Sequence, residues 1–342
     1  MKKIIVSGGT GYIGSHTAVE LIEAGFEVII LDNLSNSEIT VLDGIKNITG
    51  IKPEFYKINL VNTSETKKLF KKIKNVSGII HFAAYKAVGE SVQFPLKYYK
   101  NNLNALINIL ENMQEFNIEN LIFSSSCTVY GQPEKLPVTE KSPVLKADSP
   151  YGNTKQISEE IINDTVNTST NLKAILLRYF NPIGAHESAE IGELPLGVPN
   201  NLVPFITQTA AGIRKQLRIF GNDYNTPDGT AIRDYIHVSD LAKAHIVALK
   251  RLLNGKNKSK IEVFNLGTGK GNSVLEIVKT FEKVTGIKLN YKIVDRRPGD
   301  IEKIWADVHY AEKELAWKTE KSLGEALLSA WNWEKKCRTS NN

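Results

Sequence analysis

Tyr151 and Lys155 are the two side chains of this sequence whose types and spacing best suit proton chemistry. Pro150 favours the first turn of a helix and Ser149 its N-cap, so the two residues, four apart, share one helix face. A phenol has a pKa of about 10, roughly three units too high for a base near pH 7. One ammonium at about 6 Å supplies most of that shift, and a cationic cofactor ring supplies the rest. Taken alone, this spacing is also typical of an ordinary helix face.

Three consecutive serines at 124–126 end the strand predicted over 120–126, just before this helix. Ligands of open α/β sheets bind beyond the carboxyl ends of the strands. Ser126 is nearest the end, so we expect its hydroxyl to hold the substrate oxygen that loses its proton. The alternative is that these serines only satisfy backbone groups at a strand end.

The opening of the chain predicts a site for a dinucleotide. Gly8, Gly11 and Gly14 follow a short apolar strand and begin a helix. Such glycines allow a tight turn, a close approach to a pyrophosphate and close packing of helix on strand, and the helix N-terminus attracts phosphate. A second strand ends in Asp32, eighteen residues after Gly14, where a carboxylate binds the adenosine ribose. Asp32 would repel a 2′-phosphate, so the pattern favours NAD over NADP.

These groups are positioned by alternating strands and helices. Apolar strands without alternation favour a parallel sheet buried on both faces. We therefore predict an α/β fold, a doubly wound parallel (Rossmann) sheet over residues 1–180, followed by a smaller C-terminal substrate-binding lobe over 181–342. Segments near 235–266 are expected to return to the sheet. The predicted elements are strands at 53–60, 78–83, 120–126, 172–180 and 263–266, helices at 63–74, 95–116, 202–213, 240–253, 274–285 and 323–334, a helix from 150, and a loop at 181–201.

Composition narrows the class of protein. The 342 residues carry a formal net charge of +6 and only two cysteines, Cys127 and Cys337, neither in a Cys-x-x-Cys pair. We expect no metal site, no disulfide framework and a reducing, cytoplasmic compartment. The lysines between 67 and 74 lie on one predicted helix and indicate a solvated face rather than a nucleic-acid surface. No apolar run is long enough to cross a membrane, so no membrane partner is expected.

Ten longer segments of the sequence resemble the motifs of one known family. The sequence resembles the UDP-glucose 4-epimerase family of the extended short-chain dehydrogenase/reductase superfamily from about Lys2 to Trp333. The matching segments are SGGTGYIGSHT, LDNLSNS, HFAAYKAVGESV, SSSCTVYG, SPYGNTK, LRYFNPIGAH, PNNLVPFI, IFGNDY, DGTAIRDYIHVSDLA and NLGTGKGNSVLE.

The resemblance implies roles for particular residues. Tyr151 would be the base, Lys155 its partner and a ligand of the nicotinamide ribose, and Ser126 would bind the sugar 4-oxygen. Residues implied at a tightly bound NAD are Gly8, Gly11, Tyr12, Ile13, Gly14, Asp32, Asn33, Asn36, Ser37, Asn59, Leu60, Phe82, Ala83, Ala84, Lys86, Asn101, Ser126, Tyr151, Lys155 and Phe180. Those implied at the UDP-hexose are Lys86, Ser126, Tyr151, Asn181, Asn201, Leu202, Phe220, Arg233, Tyr235, Arg297, Asp300 and Ile304.

The sequence departs from the family pattern at three positions. Asn59 stands where Asp is usual and Ala84 where Gly is usual. Ile304 stands where some members carry a Tyr that restricts the pocket to plain hexoses, so UDP-N-acetylglucosamine is a further expected substrate.

The implied activity is C4 epimerisation of UDP-glucose and UDP-galactose through a 4-keto sugar, in galactose metabolism, by a homodimer built on the helices near Asn101 and Ser149. Two alternatives stay open. A nucleotide-sugar 4,6-dehydratase typically carries Asp-Glu where this chain has Cys127-Thr128. A non-catalytic NAD-binding scaffold would not need Tyr151, Lys155 and Ser126 together.

Overall fold

The computed structural model describes residues 1–297 and 300–339, and its centre is a seven-stranded, wholly parallel sheet. Its strand order is β11-β6-β5-β4-β1-β2-β3, which reverses direction along the chain between β1 and β4. Such a reversal opens a crevice at the carboxyl ends of the strands. The sheet strands are β1 Lys3–Ser7, β2 Glu27–Asp32, β3 Glu54–Lys57, β4 Val76–His81, β5 Asn120–Ser124, β6 Lys173–Tyr179 and β11 Ile261–Leu266.

Helices cover both faces of this sheet, as the Rossmann prediction requires. In chain order, the helices of the described residues are α1 Tyr12–Glu23, α2 Val41–Thr49, α3 Thr63–Lys72, α4 Val88–Gln93, α5 Pro95–Glu115, α6 Pro150–Thr168, α7 Leu202–Ala210, α8 Val238–Leu253, α9 Val274–Thr285, α10 His309–Leu315 and α11 Leu323–Thr339. Of these, α7, α9 and α11 pack in a separate cluster and not on this sheet. A short 3₁₀ helix spans Cys127–Tyr130. Within the described residues, no helix combines the length and apolarity needed to cross a bilayer.

Two apolar layers flank the sheet because successive residues of a strand point to opposite faces. Ile4 and Val6 of β1 pack into the layer that holds α1, α2 and α8, whereas Ile5 packs with α3, α5 and α6. All three side chains are fully buried. This double burial explains why the strands are continuously apolar rather than alternating.

The C-terminal elements build a separate apolar cluster beside the sheet edge. Its helices are α7, α9 and α11, and its strands include β8 Leu217–Phe220, which pairs with β13 Tyr291–Val294. Two further small sheets join β7 Asn181–Ile183 to β10 Tyr235–His237, and β9 Ile232–Arg233 to β12 Asn272–Ser273 and β14 Lys303–Ile304. The division of the chain into domains at residue 180 stays a prediction.

The structure corrects three local predictions. Helix α2 was not predicted, because Thr40 at its start makes no side-chain cap and its pattern is short. The loop predicted over 181–201 begins with strand β7, which forms only through pairing with β10. The strand predicted over 53–60 is limited to β3, since the chain turns where Val61 N–H donates to Asn59 Oδ1.

Candidate active site

Helix α6 presents Tyr151 and Lys155 at the carboxyl edge of the sheet. Ser149 Oγ accepts from Gly152 N–H at 3.1 Å and caps the helix, and Pro150 begins it. Tyr151 and Lys155 are both buried. Lys155 Nζ donates to the Ser124 carbonyl oxygen at 2.6 Å, which fixes α6 to the end of β5.

In the protein alone, the pKa of the Tyr151 phenol is raised rather than lowered. Burial raises the pKa of Tyr151 above its ordinary value, the nearby Tyr179 raises it further, and a hydrogen bond with Ser126 lowers it. Lys155 is not among the groups that shift this pKa, and its ammonium is directed to the Ser124 carbonyl, so its effect on Tyr151 beside a bound cofactor stays a prediction. The prediction that Tyr151 and Ser126 act on one substrate oxygen stays a prediction.

Lys155 is held as a buried cation. Burial lowers the pKa of Lys155 to about 8, and the charge of Glu159 opposes that fall. Glu159 itself is bound by Arg178, with Nε to Oε1 at 2.9 Å and Nη2 to Oε2 at 2.5 Å, and it accepts from Ser125 Oγ at 2.5 Å. This ion pair anchors α6 to β6 and to the serine run that precedes the site.

The glycine turn is built for close approach of backbone segments. Gly8 has a φ of +72°, and a Cβ there would lie 2.7 Å from the nitrogen of Ala83. A Cβ on Gly14 would lie 2.2 Å from the Gly8 carbonyl oxygen. Gly11 holds the N-cap position of α1 without a side-chain hydrogen bond, so the first N–H groups of the helix remain available to a diphosphate. These residues fit a dinucleotide.

Asp32 lies at the end of β2 and is fixed by the backbone around it. Its Oδ2 accepts from Thr10 N–H at 3.2 Å and its Oδ1 from Leu34 N–H at 2.9 Å. Ser37 Oγ lies 2.7 Å from Thr10 Oγ1, so the loop after β2 folds back over the glycine turn. A carboxylate held in this way suits a ribose diol.

The other predicted cofactor residues lie beside this turn or follow neighbouring strands of the sheet. Their places are Tyr12 and Ile13 at the start of α1, Asn33 and Asn36 after β2, Asn59 and Leu60 after β3, Phe82, Ala83, Ala84 and Lys86 after β4, Asn101 on α5 and Phe180 after β6. The structure thus brings the carboxyl-end residues to one edge. Their contacts with a cofactor stay a prediction.

Several of the predicted UDP residues contact one another in a cluster built around Asp300 and two arginines. Asp300 Oδ1 accepts from Arg233 Nη2 at 3.2 Å and from Arg297 Nη2 at 3.0 Å. The guanidinium of Arg297 lies over the Phe220 ring, with 5.7 Å to its centroid. Strand pairing sets Ile304 opposite Arg233, and Ile304 is buried in a cluster with Phe180. These contacts join residues distant in sequence at one site.

The remaining predicted substrate residues border the same cleft. Asn181 and Tyr235 are register partners in the β7–β10 pair. Asn201 and Leu202 are the N-cap and first residue of α7. Asn201 Nδ2 and Lys86 Nζ both donate to Glu193 Oε1, at 2.6 and 3.0 Å.

Three residues of the site were not predicted from the sequence. The hydroxyl of Tyr179 lies 2.7 Å from Ser124 Oγ, and a tyrosine at the carboxyl end of a predicted strand was a readable signal. Asp234 is fully buried and accepts from the N–H groups of Thr268, Gly269 and Ala306. Glu193 lies in a segment predicted as loop, and nothing in the sequence links it to its partner Lys86, 107 residues away. Within residues 1–297 and 300–339, no cluster of three His, Cys, Asp or Glu side chains is arranged to hold a metal ion.

Comparison with known proteins agrees with this geometry. A family model described as GDP-mannose 4,6 dehydratase matches residues 5–329. A UDP-glucose 4-epimerase of Bacillus subtilis (strain 168) is 49% identical over 331 residues, covering 97% of this chain and 96% of that protein.

Two solved structures are also similar over nearly all of the chain. UDP-glucose-4-epimerase from Stenotrophomonas maltophila, with bound NAD and formylated UDP-arabinopyranose, superposes with a TM-score of 0.95 at 42% identity, covering 99% of this chain and 100% of that one. UDP-glucose 4-epimerase from Bifidobacterium longum, in complex with NAD+ and UDP, gives 0.94 at 43% identity and 98% coverage of both chains. The fold and site define a member of the extended short-chain dehydrogenase/reductase superfamily. Within it, the chain belongs to the UDP-glucose 4-epimerase family.

Proposed function

We propose that this protein interconverts UDP-glucose and UDP-galactose by epimerisation at C4, in galactose metabolism, with NAD retained throughout. The observation that carries the proposal is the placement of buried Tyr151 and Lys155 on one face of α6, with Ser126 after β5 and the glycine turn after β1 at the same sheet edge. The sequence identity of close to half with known epimerases, over nearly the whole chain, supports it.

Tyr151 and Ser126 act on one sugar oxygen. The bound NAD would supply the reversible removal of hydride from sugar C4. Tyr151 accepts the proton of the 4-hydroxyl group and returns it after the 4-keto sugar has turned about its diphosphate tether. Ser126 keeps the oxygen within reach of the phenol. Because burial raises the pKa of Tyr151, the phenolate needs positive charge close by, which Lys155 and a bound oxidised nicotinamide would supply.

The arginine pair holds the UDP part of the substrate. Two guanidinium groups suit a diphosphate because each can donate two parallel hydrogen bonds. Asp300 orients both groups, and the exposed face of Phe220 offers a surface for an aromatic base or ribose. Strong binding of UDP lets the hexose be held loosely enough to turn.

Retention of NAD follows from the reaction. Hydride must return to the carbon it left, so a cofactor that exchanged in mid-cycle would release a 4-keto product. Gly8, Gly11 and Gly14 with Asp32 would hold the adenosine half, and Lys155 the nicotinamide ribose. We therefore expect the protein to purify with NAD bound and to need no added nucleotide.

Ile304 widens the proposed substrate range. Its side chain is smaller than the Tyr of some relatives, and it packs in the cluster with Phe180 rather than projecting freely. We propose that the pocket also accepts an N-acetyl group, so UDP-N-acetylglucosamine is a second substrate. Turnover of UDP-galactose without any turnover of UDP-N-acetylgalactosamine would exclude this.

We further propose a cytoplasmic homodimer. Helices α5 and α6 pack against each other through Asn102 Nδ2 and Thr154 Oγ1 at 3.1 Å, and apolar side chains near the start of α5 are exposed. Phe94 is 56% exposed and Leu96 80% exposed, which favours a covered surface. Light scattering of the wild type and of Leu96→Asp tests this: the wild type should have the mass of a dimer, and an unchanged monomer mass in both would contradict it.

One experiment separates the proposed reaction from its alternatives. Purified protein receives UDP-galactose and no nucleotide cofactor, and the products are followed by NMR. An epimerase yields UDP-glucose, a dehydratase a 4-keto-6-deoxy sugar, and a scaffold nothing. We expect UDP-glucose, since burial raises the pKa of the Cys127 thiol to about 12 and leaves no base where a dehydratase has carboxylates. Tyr151→Phe is the matched inactive control.

A further inference from the structure

We infer that Glu193 is a positioning residue that ties the cofactor side of the cleft to the nucleotide-sugar side, an inference that rests on the proposed function. A single carboxylate oxygen, Oε1, accepts from Lys86 Nζ at 3.0 Å and from Asn201 Nδ2 at 2.6 Å. Lys86 follows β4 of the main sheet, whereas Asn201 immediately precedes α7 of the C-terminal cluster. The carboxylate thus bridges two elements that the proposed function places on different ligands.

The backbone around Glu193 is fixed by contacts that do not involve its side chain. Trp333 of α11 donates from Nε1 to the Glu193 carbonyl oxygen at 3.0 Å. Gly192 lies so close to the same indole that an added Cβ would be 2.4 Å from its Cγ atom. Such anchoring means that little side-chain or loop entropy is lost when the bridge forms. The loop therefore aims the carboxylate into the cleft.

Electrostatics support an orienting role rather than direct contact with ligand. A carboxylate repels phosphate, so Glu193 cannot itself bind either diphosphate. Glu193 also lies near Tyr12 of α1. Burial raises the pKa of the Tyr12 phenol most, and the negative charge of Glu193 raises it further. Lys86 Nζ lies 5.8 Å from the centroid of the same ring. Without the carboxylate, the half-exposed Lys86 side chain would sample other directions, and the Asn201 amide would lose its acceptor.

Glu193→Gln tests this role because it keeps the shape and an oxygen acceptor but removes the charge. We expect KM for UDP-galactose to rise about fivefold, as befits loss of one charge-assisted contact at a partly exposed site. We expect kcat to stay within about twofold, since Tyr151 and Ser126 are untouched. Glu187→Gln, an exposed residue of the same loop, is the matched control and should leave both constants unchanged.

A double-mutant cycle shows whether Glu193 acts through Lys86. Lys86→Met is measured alone and together with Glu193→Gln, and we expect the combined rise in KM to be well below the product of the two single effects. The inference would be overturned if the rise in KM of the double variant equalled the product of the two single rises. It would also be overturned if the KM of Glu193→Gln lay within the error of the wild-type value.

A second variant and the activity of the wild type separate loss of folding from loss of the proposed role of Glu193. If Glu193→Gln folds poorly, Trp333→Phe removes the donor that fixes the Glu193 backbone, together with part of the ring beside Gly192, and should raise KM in the same direction; an unchanged KM would count against the inference. A wild-type protein that does not convert UDP-galactose contradicts the proposed function itself, whereas an active wild type with a normal Glu193→Gln variant contradicts only the role of Glu193.

Discussion

Replacing Lys155 by Met should stabilise the fold while it removes activity. Burial lowers the pKa of Lys155 from an ordinary 10.5 to about 8. Each tenfold change in proton affinity corresponds to about 1.4 kcal/mol, so holding the charged form costs the folded state about 3 kcal/mol at pH 7. The hydrogen bond to the Ser124 carbonyl, at 2.6 Å, is lost in the variant and offsets about 1 to 2 kcal/mol of this. The expected gain is about 1 to 2 kcal/mol.

The free energy of unfolding of the wild type should also depend on pH because of Lys155. The unfolded chain keeps the Lys155 proton up to a pH near 10.5, whereas the folded chain releases it near 8. The unfolded state therefore binds more protons between these values, and the stability of the wild type rises with pH there. The Met variant lacks this contribution, so its advantage should be largest below pH 8, should disappear at about pH 9 to 10, and should be reversed near pH 10.5, where only the loss of the hydrogen bond to Ser124 remains.

Urea denaturation at a series of pH values, on protein stripped of nucleotide, measures both effects. Stripping matters because bound NAD stabilises only the folded state. Lys68→Met, at an exposed position of α3, is the control and should change the free energy of unfolding by less than about 0.5 kcal/mol. A Lys155→Met variant less stable than the wild type at pH 7, or an advantage that is the same at pH 7 and pH 10, would refute this reasoning.

Three other substitutions test single residues of the site. Tyr151→Phe removes one hydroxyl, so kcat should fall by about 10² to 10⁴ while NAD stays bound; near-normal turnover would remove Tyr151 from the role of base. Asp32→Gly removes the carboxylate at the end of β2, and reconstitution assays should show weaker NAD binding and improved NADP binding; an unchanged preference would mean that Asp32 does not contact the ribose. Ile304→Tyr should lower the turnover of UDP-N-acetylgalactosamine at least about tenfold relative to UDP-galactose, a discrimination typical of pocket shape; equal losses on both sugars would argue against a role in specificity.

Features that depend on short-range spacing could be predicted from the sequence. The glycine turn needs only three glycines between a strand and a helix, and the common face of Tyr151 and Lys155 needs only a separation of four. The parallel sheet followed from apolar runs that alternate with helices, and the structure confirms it. These signals are local, so the sequence carries them directly.

Features that depend on tertiary contact could not be predicted. The bridge from Glu193 to Lys86 joins residues 107 apart, and only the folded loop brings them together. The upward shift in the pKa of Tyr151 arises chiefly from burial, which the spacing to Lys155 does not reveal. Ile304 meets Arg233 only through the register of a two-residue strand pair.

The direct test of the central claim is the fate of the hydrogen at sugar C4. Purified protein, with no nucleotide added, is given UDP-galactose in D₂O, and the product is examined by NMR and mass spectrometry. We expect UDP-glucose that keeps protium at both C4 and C5, because hydride returns to its own carbon and no elimination occurs. Deuterium at C4, a 4-keto-6-deoxy product, or conversion only when NAD is added in excess would contradict it.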